Sequence, residues 1–134
     1  MEKQTLSKNP IVENLDEYLL NSSESLHIVD GSGIILWANR TELDYLGYSE
    51  KEYIGQSITK FHRDSDVITD ILTRLLSGET IINYSAYLTA KDGSTKRVLI
   101  NSNGFWKNGQ FIHTRCFSRD ITNLKIPAAA GFLH

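Results

Sequence analysis

The chain has 134 residues, 40% of them hydrophobic and 22% charged, with a formal net charge of −2. That length suits one domain with one core, the composition excludes a disordered or fibrous chain, and the near-neutral balance with singly scattered basic residues excludes a dedicated nucleic-acid surface. The lone Cys116 excludes an intrachain disulfide, while a polar start and the lack of any apolar run near the roughly 20 residues needed to cross a bilayer predict a cytoplasmic protein without a membrane partner.

Asn9-Pro10 reads as a helix start, with Asn9 as N-cap and Pro10 at the first helical position. Ile11, Val12, Leu15, Tyr18 and Leu19 then recur on one helical face, so residues 1–24 are expected to form an amphipathic helix and its flank. The stripe needs cover, from the domain's own sheet or from a second copy of the chain. Leu26 to Val29 and Ile34 to Trp37 are short apolar runs across the turn Asp30-Gly31-Ser32-Gly33, and predict two antiparallel strands. Asn39 fits the N-cap of a short helix carrying Leu43 and Leu46 and closed by Gly47. Ser49 and Glu52 form a capping box, with Tyr48 and Tyr53 as a hydrophobic staple and Gly55 as the stop.

Asp64-Ser65-Asp66 places capping side chains and negative charge at the start of a longer helix. Val67, Ile68, Ile71, Leu72, Leu75 and Leu76 make its apolar face, and Ser77-Gly78 ends it. From Thr80 the period changes to two, with Ile82, Tyr84, Ala86 and Leu88 alternating against Asn83, Ser85, Tyr87 and Thr89. Lys91-Asp92-Gly93-Ser94 and Lys107-Asn108-Gly109-Gln110 are hairpin turns, so the last three strands form a meander ending near Phe117. Two strands, a helical block and three more strands predict an α+β fold: a five-stranded antiparallel sheet with short helices packed on one face and the amphipathic helix in front. Residues 123–134 have no core-forming pattern and read as a short tail.

Five pieces in this order resemble a PAS domain over residues 25–122, of the kind found in bacterial sensor histidine kinases. They are Val29 to Ile35 followed by Asn39; Leu46-Gly47-Tyr48-Ser49 with Gly55; His62 to Asp66; Lys91 to Ser94; and Arg119-Asp120-Ile121-Thr122. The resemblance implies a ligand or cofactor between helices and sheet, and a signal relay at the end of the last strand through an Asp-x-Thr, here Asp120 and Thr122. Asp120 can equally be satisfying backbone at the strand end. Twelve residues follow Thr122, too few for a kinase, receiver or DNA-binding domain, so the expectation is signalling in trans or a fragment of a longer sensor.

If the meander pairs as its turns suggest, Tyr84, Ala86 and Leu88 share the inner face, and Leu99 and Asn101 alternate onto it beside Thr114, Cys116 and Ser118. With Phe61 from the helical side, these residues are the candidate ligand pocket, a few polar groups in an apolar wall. The alternative is that the polar groups pair with one another or with buried water in a filled core. Cys116 reads as a buried small hydrophobe. A light-oxygen-voltage flavin site needs a cysteine on a central helix, and the helical block has none. His62 is the one candidate haem ligand, against a hydrogen-bonding or capping role. His62-x-Asp64-x-Asp66 needs no metal, because capping explains the carboxylates, and His27 and His113 form no constellation visible in sequence.

No catalytic motif is present. The chain therefore reads as a non-enzymatic sensory domain that binds a small ligand or a partner and relays a conformational signal, as a homodimer or in trans to a kinase or other effector. The cofactor is unknown, with none the simplest expectation. A haem or flavin redox or gas sensor and a ligand-free dimerisation module are the alternatives.

Overall fold

The computed structural model describes residues 15–122. The chain runs α1 (Leu15–Leu20), β1 (Ser25–Val29), β2 (Ile35–Ala38), α2 (Arg40–Leu46), α3 (Glu50–Tyr53), a 3-10 turn (Ile58–Phe61), α4 (Ser65–Leu76), β3 (Ile81–Thr89), β4 (Thr95–Lys107) and β5 (Gln110–Asp120). The five strands form one antiparallel sheet in the order β2-β1-β5-β4-β3. The expected helix start at Asn9-Pro10, its residues Ile11 and Val12, and the tail lie outside the described residues. No helix among the described residues is long and apolar enough to cross a membrane.

Local chemistry explains most element ends. Asn39 is extended (φ −82°, ψ 171°), and its side-chain oxygen accepts from the Glu42 amide at 2.9 Å, which starts α2. Gly47, at φ 87°, takes the left-handed position that closes that helix, its N–H donating to Leu43. Ser49 and Glu52 make both halves of the capping box on α3, and the Tyr48 and Tyr53 rings stack with centroids 6.0 Å apart. Asp64 does occupy the N-cap position of α4, but its side chain makes no capping hydrogen bond and pairs with Arg63 at 2.9 Å instead.

The core lies between the helices and one sheet face. Ile68, Ile71 and Leu75 of α4 and Phe61 of the 3-10 turn pack with Ala86, Leu88, Val98 and Ile100 of the sheet, all of them buried. Leu76, expected on the same helix face, is 42% exposed. The opposite sheet face carries α1, whose Leu15 and Leu19 stand beside Leu26, Ile28 and Phe117.

Asn39 ties these layers together. Its side-chain oxygen also accepts from the Leu26 amide at 3.0 Å, and its amide donates to the carbonyls of Leu19 (3.1 Å) and Glu24 (2.8 Å). One fully buried side chain thus joins the end of α1, β1 and the start of α2. Asn39→Ala leaves several buried groups unpartnered and is expected to lower unfolding free energy by roughly 2–4 kcal/mol in urea titrations. A loss under about 0.5 kcal/mol would mean the node is dispensable.

Candidate functional site

Two bulges decide which side chains face the core. In β3 the pairing shifts between Ile81 and Tyr84, where Asn83 adopts φ 51°. Ile81 is therefore buried, and Ile82, expected with Tyr84 and Ala86, points outward at 71% exposure. In the last hairpin, Trp106 pairs with Phe111 but Phe105 pairs with His113, so Ile112 is an extra residue. Without it Asn101 would stand opposite Cys116, as expected; with it Ser102 does, and Asn101 pairs with Phe117. Leu99 and Asn101 thus belong to the outer face, the one-residue slip that reverses a strand's faces. Asn101 instead staples the β3 bulge, accepting from the Asn83 amide at 3.0 Å and donating to its side-chain oxygen at 3.2 Å.

The other expected pocket residues divide. Thr114, Cys116 and Ser118 do line one internal cavity with His62. Phe61 is buried but packs its ring against Tyr48 and Tyr53 (centroids 4.9 and 4.7 Å apart) rather than lining that cavity. Tyr84 also stays off the cavity, and its hydroxyl donates to Asp70 of α4 at 2.7 Å.

A group missed in the sequence joins them. Across the sheet, His27 of β1 pairs with Cys116 of β5, and Cys116 with Ser102 of β4. Glu42 of α2, fully buried, comes down on this row, with Oε2 3.0 Å from His27 Nδ1 and accepting from the Tyr53 hydroxyl at 2.6 Å. His27 Nδ1 contacts the carboxylate as an ion pair without a well-directed hydrogen bond. Two signals pointed here: Glu42 lies four residues before the core residue Leu46, hence on the same helix face, and His27 shares the period of Ser25 and Val29, both buried.

Burial opposes charge on His27, but the Cys116 sulfur and the Glu42 carboxylate beside it hold its pKa well above the ordinary value. Burial likewise opposes ionisation of Glu42; His27 and the Tyr53 hydroxyl outweigh it and its pKa is lowered. His62 goes the other way: burial, then the His27 charge, lowers it to about 4. Glu42 Oε1, His62 Nδ1 and Ser118 Oγ, all facing this cavity, have no hydrogen-bond partner among the described residues.

The cavity offers about 20 Å³ to the centre of a water molecule. Pockets for organic ligands run to roughly 300–1,000 Å³, so neither a porphyrin nor a flavin ring fits beside His62 without displacing the core. Among the described residues no group of three or more His, Cys, Asp or Glu is arranged to hold a metal.

At the end of β5, Asp120 accepts from the Thr122 amide at 2.9 Å, and the Thr122 hydroxyl accepts from the Arg97 amide at 2.9 Å. Burial opposes the Asp120 charge; the Thr122 amide and hydroxyl, the Tyr45 hydroxyl and Lys96 overcome that and lower its pKa. Tyr45 approaches from α2, and burial and Asp120 raise its pKa. Its hydroxyl closes no hydrogen bond of good geometry.

Outside the core, α1 and the outer sheet face enclose an open groove of about 790 Å³ walled by Leu15, Leu19, Leu26, Ile28, Ile82 and Phe117.

The family model described as PAS domain matches residues 23–123. Among solved structures, the PAS domain of an HTR-like protein from Haloarcula marismortui is 26% identical, with a TM-score of 0.71 over 83% of this chain and 92% of that one. A PAS domain of a protein from Colwellia psychrerythraea (21% identical, TM-score 0.69, 84% of this chain and 98% of that one) shares the fold. So does a domain of a sensory box sensor histidine kinase/response regulator from Geobacter sulfurreducens (17%, 0.69, 85% and 99%). No curated protein matches the chain.

His62 sets a pH dependence. Its folded pKa of about 4 lies below the ordinary 6.5, so the unfolded chain takes up the proton first and stability falls as pH drops from 6.5 toward 4. The His27 contribution is complete below pH 6.5, and that of Glu42 begins to be lost only below about 4.5. Between pH 6.5 and 4.5 wild type is therefore expected to lose roughly 2–3 kcal/mol through this group, and His62→Gln to lose much less, by urea midpoints at both pH values. Equal losses would acquit His62. Asp120→Ala, which removes the acceptor of the Thr122 amide, is expected to speed hydrogen exchange at Thr122 and Arg97 about 5–10-fold, the weight of about one hydrogen bond; unchanged protection would show that Asp120 does not hold this terminus.

Proposed function

The chain belongs to the PAS domain family, the sensory modules of signalling proteins, and from that premise we propose that it is a non-catalytic relay whose outer sheet face takes a second copy of the chain. The observation that carries this reading is the apolar groove on that face. Of the residues lining it, Ile82 and Phe117 of the sheet are 71% and 38% exposed, and Leu19 of α1 is 38% exposed. Apolar surface gathered in this way on one face marks an interaction site. The internal cavity supports the same choice by its size, which favours a domain without resident haem or flavin.

The relay runs through β5 and α2 in this reading. β5 lies between β1 and β4, contributes Phe117 to the outer groove and Cys116 and Ser118 to the core, and ends at Asp120. α2 carries Glu42 into the buried cluster and Tyr45, three residues on, to the Asp120–Thr122 terminus. A partner that favours one position of β5 would thereby bias that terminus, with the equilibrium moved only by as much as binding differs between the two positions. The Geobacter neighbour suggests a histidine kinase as the class of effector.

Light scattering on the full chain at about 100 µM is expected to give a dimer mass, and Ile82→Glu combined with Phe117→Glu a monomer with an unchanged circular dichroism spectrum. A monomeric wild type at that concentration, or a dimer untouched by the paired substitution, would overturn this use of the outer face.

A further inference from the structure

Among the described residues, four atoms of side chains lining the core cavity lack a hydrogen-bond partner; His27 Nδ1 has the Glu42 carboxylate 3.0 Å away, and the other three come from three separate elements. Glu42 Oε1 belongs to α2, His62 Nδ1 to the residue after the 3-10 turn, and Ser118 Oγ to β5. Their residues are all buried (0%, 9% and 4% exposed), and all line the same cavity. Buried polar groups are almost always paired, with protein or with ordered water. Three such atoms around one cavity point to a shared partner.

Size and chemistry narrow that partner. The cavity gives about 20 Å³ to a water-sized sphere, against the about 10–15 Å³ that one water requires. The rest of its wall is apolar, as at Ile68, Ile71, Leu75 and Ile100, or carries polar groups already engaged: the Thr114 hydroxyl accepts from the Val29 amide, the Ser102 hydroxyl donates to the Arg115 carbonyl, the Tyr53 hydroxyl donates to Glu42, and His27 Nδ1 lies against Glu42 Oε2. The occupant therefore makes its polar contacts at the three orphan atoms. An ionised Glu42 oxygen only accepts, while a serine hydroxyl both donates and accepts. The occupant therefore donates at least once and has room for about three contacts. Charge decides between water and ammonium, the two donors of this size. Glu42 is already neutralised by His27 at 3.0 Å, and a second buried cation would lack a counter-charge.

We propose that one water molecule occupies this cavity, donating to Glu42 Oε1 and His62 Nδ1 and accepting from the Ser118 hydroxyl, and so links the helical layer to the last strand. His62 then carries its ring proton on Nε2. Two donated bonds and one accepted bond are the usual complement of a buried water. The link makes β5 sense the position of Glu42, because a shift of either element breaks one of the three bonds.

Oxygen-17 magnetic relaxation dispersion counts long-lived internal waters in solution and tests this on the full chain. Ser118→Val, which puts methyl groups into the cavity, is expected to show one fewer such water than wild type. Ser118→Ala removes only the hydroxyl; it is expected to keep the water but shorten its residence time about tenfold, and it serves if the valine variant does not fold. A crystal structure of wild type at high resolution is expected to place a water 2.6–3.2 Å, the about usual hydrogen-bond range, from all three atoms. The proposal is overturned if wild type shows no long-lived water, if both folded variants match wild type in number and residence time, or if a slowly exchanging ¹⁵N-ammonium resonance appears in ammonium buffer and is lost in Ser118→Ala.

Discussion

The fold is organised around a carboxylate with no access to solvent. Glu42 is fully buried, and a charge there is tolerable only because His27 and the Tyr53 hydroxyl reach the same oxygen. That requirement sets three elements at once. β1 must present His27 inward, α2 must lie over the sheet so that Glu42 descends, and α3 must bring Tyr53 across from the other side. Removing one partner would strand a buried charge, which typically costs about 3–5 kcal/mol, whereas exchanging the whole group for apolar residues is often neutral. The cluster is therefore better understood as an instruction about position than as a source of stability.

The same helix carries that positional information outward. Asn39 locks the start of α2 to β1 and α1, Glu42 locks its middle to the core, and Tyr45 stands at the terminus of β5. Two of these contacts are satisfied and the third is incomplete, since the Tyr45 hydroxyl makes no well-formed hydrogen bond. The helix is thus held by side-chain hydrogen bonds at its start and middle and by none of good geometry from Tyr45 in its last turn. The last strand has one face toward the polar cavity and the other toward the outer groove.

How far the site could be read from the residues depended on the range of the interactions involved. Asn39, Gly47, Ser49 with Glu52, and the Asn108-Gly109 turn act on neighbours within about four positions, and their elements stand where the pattern puts them. Thr114, Cys116 and Ser118 follow simple alternation on one strand and do reach the cavity. Leu99 and Asn101 were assigned to the wrong face because the extra residue at Ile112 changes the pairing, and an isoleucine in an alternating strand carries no mark of a bulge. Asp64 shows the same limit at short range: the capping position is right, and the neighbouring Arg63 takes the side chain.

By itself the sequence determined the element order, the turns, most helix ends and the family resemblance, since periodicity, caps and hairpin dipeptides are local properties of the chain. Only the tertiary structure decided that His27 and Glu42, fifteen positions apart, meet as a buried ion pair with Cys116 alongside, and that they line a water-sized cavity into which Glu42 Oε1, His62 Nδ1 and Ser118 Oγ bring no partner of their own. The reason is physical. A buried charge is permitted wherever a partner arrives from elsewhere in the chain, and where it arrives depends on bulges and sheet register, which are settled by packing over the whole fold.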